Sequence, residues 1–470
     1  MIQIEGILET FHQGFGFIRT ERDGDVFVDS AFISAYDLKN NDFIIGEAEK
    51  DREGRSEFIL KKITSVNRIH VEEIDIAKVQ RELQEKKNRE RAGASGILEV
   101  MEKGFGFLRQ ENYLSGDDDV YVSESKIKAL KLRTGDSIEG VASPKHGQSA
   151  RALESVDKVN GHTIKECLSR KRFDQLTPIF PNRKLKMETV KANYAGRIVD
   201  LFAPIGCGQR GMIVAPPKAG KTTLLEMFAQ SILKNHKDVY LIVLLIDERP
   251  EEVTAFKEMV IEAAGENKDH VEVVYSTFDE QPMHHKRVAE MALARAKSLV
   301  EFGEDVVILL DSITRLSRAY NLIVPSTGKV LSGGLDPNAL YGPKRLFGAA
   351  RNLREGGSLT VIASALVETG SRMDEMIFEE FKGTGNMELY LDRTLAERRV
   401  YPAINIQRSS TRHDDLLLSK EAYDIEELIR REWFGSNNTI EDTLTVLKAM
   451  STTRSNSVLC KALLESKKKA

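Results

Sequence analysis

Four largely apolar runs organise the middle of the chain: Met212-Ile-Val-Ala215, Val239-Tyr-Leu-Ile-Val-Leu-Leu-Ile246, Val306-Val-Ile-Leu-Leu310 and Leu359–Leu366. Runs of this length without polar alternation read as strands buried on both faces, as in a parallel sheet covered by helices. A helix-like segment, Thr223-Leu-Leu-Glu-Met-Phe-Ala229, follows the first run. The first 160 residues read differently. Short strand-like stretches and turn glycines alternate there with no long helical run, which predicts small all-β units. From Arg68 to Arg91 there is neither Gly nor Pro, and acids balance bases, so this stretch predicts a solvated helix or charged spacer.

The all-β part is a repeat. Gly6-Ile-Leu-Glu-Thr-Phe-His-Gln-Gly-Phe-Gly-Phe-Ile-Arg19 recurs as Gly96-Ile-Leu-Glu-Val-Met-Glu-Lys-Gly-Phe-Gly-Phe-Leu-Arg109, and Asp25-Val-Phe-Val28 recurs as Asp119-Val-Tyr-Val122. The displacement grows from 90 to 94, which places four extra residues of the second copy within 112–118. Gly-Phe-Gly-Phe followed by Asp-Val-Tyr/Phe-Val is the nucleic-acid signature of cold-shock-type OB barrels. The strand period of 2 puts both Phe residues on one face, where bases can stack. In the second copy Gly104, Phe105, Gly106, Phe107, Leu108, Arg109, Asp119, Val120 and Tyr121 are the expected RNA-binding residues. Phe105, Phe107 and Tyr121 would stack bases, Arg109 would hold phosphate, and Asp119 would read a base edge. The plain alternative is that alternating Phe fills a barrel core. In the first copy Phe15, Phe17, Arg19 and Phe27 form a possible extra RNA site. Residues 1–66 carry 8 Lys/Arg against 13 Asp/Glu, and residues 96–160 carry 9 against 11, so the first copy is expected to bind RNA more weakly.

The first apolar run leads into Ala215-Pro-Pro-Lys-Ala-Gly-Lys-Thr222, a phosphate-binding loop with Ala215 where Gly is usual. Backbone N–H groups of such a turn point at phosphates, Lys221 reaches the β/γ-phosphates, and the Thr222 hydroxyl holds Mg²⁺. Two more runs end in carboxylates at the edge where α/β sheets bind ligands. Asp311 is the candidate second Mg²⁺ residue, with a helix N-cap as the plain alternative. Glu248 is placed to polarise an attacking water, and Arg249 to contact nucleotide phosphates. Gly206-Cys-Gly-Gln-Arg-Gly211 matches a dinucleotide fingerprint but precedes a strand instead of opening a helix, so that reading fails. A glycine-rich turn feeding the phosphate-loop strand, flanking the nucleotide pocket, is the expectation for Gly206, Cys207, Gly208, Gln209, Arg210 and Gly211.

The formal net charge of −4 confines any nucleic-acid site to a local patch. Cys167, Cys207 and Cys460 have neither disulfide-framework nor zinc spacing, and no secretory or 18-residue apolar segment occurs, so a cytoplasmic protein is expected. His284-His285 has no partner at ligand spacing and reads as a loop.

From about Gly96 onward the chain resembles the bacterial transcription termination factor Rho family. The resemblance rests on Ala215–Thr222, Leu245-Ile-Asp-Glu-Arg-Pro-Glu-Glu-Val253, Leu310-Asp-Ser-Ile-Thr-Arg-Leu316, Phe347-Gly-Ala-Ala-Arg-Asn352 and Glu380-Phe-Lys-Gly-Thr-Gly-Asn-Met387. Residues 1–95 lie outside the part typical of that family. The resemblance implies a homohexamer of RecA-like domains that hydrolyses ATP with Mg²⁺, pulls single-stranded RNA through its centre and acts on RNA polymerase. It implies that Lys218, Ala219, Gly220, Lys221, Thr222 and Thr223 cradle the nucleotide, that Tyr401 stacks adenine with Arg399 nearby, and that Arg412 is the finger reaching the neighbour's site. Lys329 in Pro325–Gly334 and Arg372 in Thr369–Asp374 would grip RNA in the pore, and the tip Gln148–Arg151 lacks the aromatic residue common in relatives. The expected architecture is two OB barrels, an α/β RecA-like ATPase and a helical C-terminal region. Its bounds are 1–67, a linker 68–95, 96–160, a basic connector 161–195, 196–415 and 416–470. A rotary-type ATPase subunit or a non-catalytic RNA chaperone are the competing classes. The first lacks a reason for the barrels and the second lacks a reason for the phosphate loop.

Overall fold

The computed structural model describes residues 1–11, 14–20, 24–51, 56–72, 76, 79, 92–144, 151–326, 328–434 and 438–469. Most of the expected linker (73–75, 77–78 and 80–91) and the tip residues 148–150 lie outside the described residues. The chain divides into two compact units. One comprises Met1–Ser95, Asp117–Ser123 and Glu139–Asp157, the other Gly96–Gly116, Glu124–Ile138 and Lys158–Ala470.

The first repeat forms a barrel. Its strands run in the order Asp25–Val28, Gly16–Arg19, Ile2–Thr10, Phe43–Lys50 and Phe58–Val66, and Asp25–Val28 pairs again with Phe58–Val66 to close it. A short sixth strand, Ile69–His70, extends the edge. Strict alternation along Ile2–Thr10 sends Ile4 and Leu8 inward, where they meet Ile18, Val26, Val28, Phe32, Ile44, Leu60 and Ile63. Phe15 and Phe17 are half-buried and outside that core cluster, and Phe27, also outside it, is buried at 7 % exposure.

The second repeat closes a barrel in the order Ser137–Pro144, Arg151–Val159, Val120–Val122, Gly106–Arg109, Ala92–Val100. Its first strand begins at Ala92, inside the stretch expected to be linker. The extra residues of this copy have a visible task. The turn Glu111–Tyr113 sends the Asn112 side chain to the backbone of Tyr275, donating to its carbonyl and accepting from its N–H at 2.6 Å.

The nucleotide domain is built on a sheet in the order Val271–Thr277, Val239–Glu248, Asp305–Asp311, Ser358–Leu366, Arg210–Ala215, Met387–Tyr390 and Ser410–Thr411. All neighbours are parallel except the last pair. The unbroken apolar runs follow from burial on both faces. Ile242, Leu244 and Ile246 join the core under helix Pro282–Val300, while Leu241, Val243 and Leu245 join the core under helices Lys221–Asn235 and Pro250–Ala264. The C-terminal helices Lys420–Trp433, Thr439–Ser451 and Asn456–Lys469 pack Ile425, Ile429, Val446 and Met450 on that second core.

Two expectations need correction. The basic connector is part of the body. Pro178–Ile179 pairs with Arg351–Leu353, Lys184–Leu185 pairs with Ile205–Gly206, and Arg170 is buried in an ion pair with Asp136 at 2.6 Å. His284 and His285 sit in the first turn of helix Pro282–Val300, not in a loop. His285 is buried against the Ser276 hydroxyl at 2.7 Å, and Pro282 supplies the helix start. Among the described residues no helix is long and apolar enough to cross a membrane, and all three cysteines are buried free thiols.

Candidate nucleotide site and nucleic-acid platforms

The phosphate loop leaves the C-terminal end of Arg210–Ala215. Ala215 is fully buried in the core and has an ordinary negative φ, so its methyl group costs nothing at a position where Gly is usual. Gly220 caps helix Lys221–Asn235 at φ 91°, ψ 25°, a left-handed conformation in which a side chain would be strained. Lys221 extends from the first turn between two strand-end carboxylates, donating to Glu248 at 3.0 Å and to Asp311 at 2.5 Å. Asp311 also accepts from Ser364 at 2.7 Å. Burial, which lowers the Lys221 pKa, is outweighed by Asp311 and Glu248, and the ammonium is held above its usual value. Burial and the charge of Asp311 push Glu248 up to about 7, against the opposing pull of Lys221 and Arg315. Two acids and a buried ammonium thus meet beside a helix N-terminus.

A cavity of about 550 Å³ opens beside the loop, lined by Lys218, Ala219, Gly220, Thr223, Met227 and Tyr401 among others. Tyr401 is 56 % exposed, so one ring face is available to a base. Thr222 is half-buried next to Lys221, while Thr223, Arg249 and Arg399 are exposed. Arg249 pairs with Glu252 at 2.9 Å.

Gly206, Cys207, Gly208, Gln209, Arg210 and Gly211 do not flank this pocket. They precede or open the strand whose far end carries the loop, so about 17 Å of extended chain separates Arg210 from Ala215. Their contacts are structural: the Gln209 amide donates to Asn386 at 2.7 Å, Gly208 N–H to Thr360 at 2.8 Å, and Cys207 is a buried thiol pushed up to about 11 by desolvation. Arg412 follows Ser410–Thr411, which pairs with the start of Met387–Tyr390, so it lies at that same far edge. Within one chain Arg412 and the phosphate loop occupy opposite ends of the sheet.

Sequence reasoning gave no role to Arg315 and Arg318, one helical turn apart on Ile313–Ile323. Arg315 lies 3.5 Å from both Asp247 and Glu248. Arg318 clamps Asp374 through two bonds of 2.7 Å, next to exposed Arg372. One short helix therefore bridges the nucleotide carboxylates and the loop carrying Arg372. Its i, i+3 arginine spacing directly after the Asp311 strand was the available signal. Lys329 is exposed in the neighbouring loop.

On the second barrel Phe105 and Phe107 meet edge to face at 5.7 Å, and Tyr121 is half-buried between buried Val120 and Val122. Leu108 and Val120, expected among the RNA contacts, are fully buried. Arg109 is not placed to hold phosphate either. It is 4 % exposed, bonded to Glu99 at 2.6 Å, with its guanidinium 4.9 Å from the Phe107 ring centre. Glu99 in turn takes Arg287 of helix Pro282–Val300 at 2.5 Å, so Arg109 supports the platform and ties it to the nucleotide domain.

The first barrel carries a larger aromatic patch. Phe15, Phe17 and Phe27 are mutually packed at 5.6–5.8 Å, and Phe11 stacks on Phe15 at 5.5 Å. The repeat comparison pointed away from Phe11, because its counterpart is Met101. Arg19 is held by Glu9 at 2.7 Å and by Asp25, which leaves less of its charge for phosphate.

Residues 4–72 and 94–165 each match the family described as the Rho termination factor, RNA-binding domain, and residues 196–411 match the nucleotide-binding domain of the ATP synthase alpha/beta family. The transcription termination factor Rho of Pseudomonas aeruginosa is 56% identical over 341 residues, covering 71% of this chain and 79% of that protein. The chain belongs to the Rho family. The Rho of Borreliella burgdorferi is 52% identical over 372 residues, covering 78% of this chain and 70% of the relative, and that of Thermotoga maritima is 52% identical over 372 residues, covering 78% and 84%. Among solved structures, an ATPase of the type III secretion system of pathogenic bacteria superposes with a TM-score of 0.51 at 22% identity, covering 62% of this chain and 87% of that one. That likeness concerns the fold alone. The RNA-binding description matches twice, so residues 4–72, expected to lie outside the part typical of the family, also match its RNA-binding domain.

Proposed function

We propose that this chain is the protomer of a homohexameric, ATP-driven RNA translocase that loads on nascent transcripts and releases them from RNA polymerase. The observation that carries this reading is the meeting of Lys221, Glu248 and Asp311 behind a phosphate loop, in a chain that also presents aromatic RNA platforms. Lys221 and the loop N–H groups suit the phosphates, and Glu248 suits the attacking water. Among the described residues no cluster of three metal-ligating side chains exists. Mg²⁺ usually takes one or two carboxylates and leaves the rest of its shell to phosphates and water. Asp311 and Thr222 would hold it, and it would neutralise charge on the phosphates. A rotary-type subunit shares the sheet but has no use for the barrels. ATP hydrolysis that polycytidylate strongly stimulates is the expected result, and hydrolysis indifferent to RNA would refute the proposal.

Lys329 and Arg372 are proposed as the moving RNA contacts. Lys329→Ala or Arg372→Ala should leave RNA bound to the barrels while stimulated hydrolysis and strand displacement fall at least tenfold. An equal loss of primary RNA affinity would contradict that division.

The first barrel is proposed as an extension of the RNA path. A tethered weak site raises avidity through effective concentration. Phe15→Ala with Phe17→Ala should shorten the protected RNA footprint and weaken affinity for long RNA severalfold, with no effect on short oligonucleotides held by the second barrel. Wild-type affinity for long RNA in this variant would make the first barrel structural.

A further inference from the structure

Arg210, Arg351 and Arg412 converge on one cavity of about 490 Å³, together with Asn386, His413 and Phe180. Arg210 and Arg351 are half-buried and Arg412 is exposed at the rim. Buried or half-buried arginines elsewhere have acids: Arg170 has Asp136, Arg295 has Glu272, Arg109 has Glu99 and Arg430 has Glu426. Among the described residues these three have none. Burial first, and then the charges of Arg351 and Arg412, hold Arg210 below the ordinary guanidinium value. Three cations gathered around one hollow, two of them half-buried, repel one another, and an anion in place relieves that repulsion.

The Arg210 and Arg351 side chains are also fixed. Arg210 donates to the carbonyls of Ala350 and Thr384 at 3.0 Å each. Arg351 donates to Ala349 at 3.0 Å and lies 4.8 Å from the centre of the Phe173 ring. Asn386 registers the other two, accepting from Arg210 N–H at 2.9 Å on its side chain and from Arg412 N–H at 2.9 Å on its carbonyl. Gly208, at φ 91°, lets the chain before Arg210 press on Asn352, where a Cβ would stand 2.1 Å from the backbone nitrogen. Guanidiniums locked by carbonyls keep N–H groups directed at a planar or tetrahedral oxyanion.

The anion must come from outside the chain, because the chain's own phosphate loop is at the opposite end of the strands. The loops carrying Lys329 and Arg372 are likewise away from this edge, since Thr369–Asp374 follows the C-terminal end of Ser358–Leu366. RNA gripped there does not reach the cavity. We infer that Arg210 and Arg351 act with Arg412 as a three-guanidinium cradle for the terminal phosphates of a nucleoside triphosphate bound by a second copy of this chain. This rests on the reading of Arg412 as a finger acting between copies. Arg412 meets the γ-phosphate, and Arg210 and Arg351 hold its oxygens and the charge that builds on the leaving diphosphate.

Mixed assemblies of full-length chains test it. Arg210→Ala and Arg351→Ala should each lower RNA-stimulated kcat by about 10²-fold, the scale of losing one oxyanion donor, with assembly mass and RNA affinity unchanged. Mixing either variant with Lys221→Ala, itself inactive, should restore hydrolysis, because a competent site then takes its loop from one chain and its cradle from the other. Arg412→Ala mixed with Lys221→Ala is the reference. If that pair recovers activity and the Arg210 and Arg351 pairs do not, the two residues act inside their own chain and the cradle is wrong. If the reference pair also fails, with assemblies intact, the finger reading falls instead. A smaller assembly mass with undiminished hydrolysis per assembled chain would identify the anion as a neighbouring carboxylate and overturn the phosphate assignment. Arg351, which bonds a carbonyl beside it in sequence, keeps the test open should Arg210→Ala fold poorly.

Discussion

Replacing Arg412 by alanine should lower RNA-stimulated ATP hydrolysis by roughly 10³–10⁵-fold, the usual cost of losing an arginine finger, while nucleotide and RNA still bind. Geometry within one chain makes the expectation specific. Arg412 lies beyond Ser410–Thr411 at the end of the sheet opposite the phosphate loop, so it cannot reach its own γ-phosphate. Its loss should therefore leave Tyr401, Lys218 and the loop intact and spare nucleotide affinity. Lys221→Ala should be as inactive for a different reason. It removes the cation that reconciles Glu248 with Asp311, so two buried carboxylates face each other and nucleotide affinity falls as well. The comparison is made on kcat and on binding of a labelled nucleotide. Wild-type hydrolysis by Arg412→Ala would remove Arg412 from catalysis.

How much of this was legible in the sequence depends on the range of the interaction that fixes each feature. The strands could be read because burial on both faces leaves a local imprint, as in Val239–Ile246, where successive residues enter two different cores. The phosphate loop could be read because its backbone turn requires Gly220 and its chemistry requires Lys221 within a few residues. The position of Gly206–Gly211 was also within reach, since it leads into the start of the strand Arg210–Ala215 whose far end carries the loop. Arg109 was not. Its burial depends on Glu99 and on Arg287, which is distant in sequence, and a strand pattern that places its side chain beside Phe107 says nothing of an acid waiting there. Phe11 was hidden for the opposite reason. A repeat directs attention to what two copies share, and this ring exists in only one of them. The arginines at 210, 351 and 412 come together only through tertiary packing, and no window along the chain contains them.

Phe105→Ala with Phe107→Ala should have the largest effect on RNA binding, a loss of primary RNA affinity of at least 30-fold. Each stacked base contributes roughly 1–3 kcal/mol, and every 1.4 kcal/mol is a factor of ten. Phe107 sits on Gly106–Arg109 and Phe105 just before it, while Gly106 between them and Leu108 after them are buried, so removal of the rings trims the barrel's surface and not its interior. Nucleotide binding should be unaffected. Arg109→Ala separates the support of the platform from direct phosphate contact. A residue that held phosphate would reduce the salt dependence of RNA binding by about one counterion when removed. Arg109 is instead buried under Phe107 and neutralised by Glu99, so its removal should lower the melting temperature and loosen stacking with the salt slope unchanged. It should also leave Glu99 with Arg287 as its remaining cation, keeping the barrel joined to helix Pro282–Val300. A reduced salt slope at unchanged thermal stability would return Arg109 to the phosphate contacts. A double Phe variant that binds polycytidylate as the parent does would move the primary RNA site off this face and leave the rings of the first barrel as the next place to look.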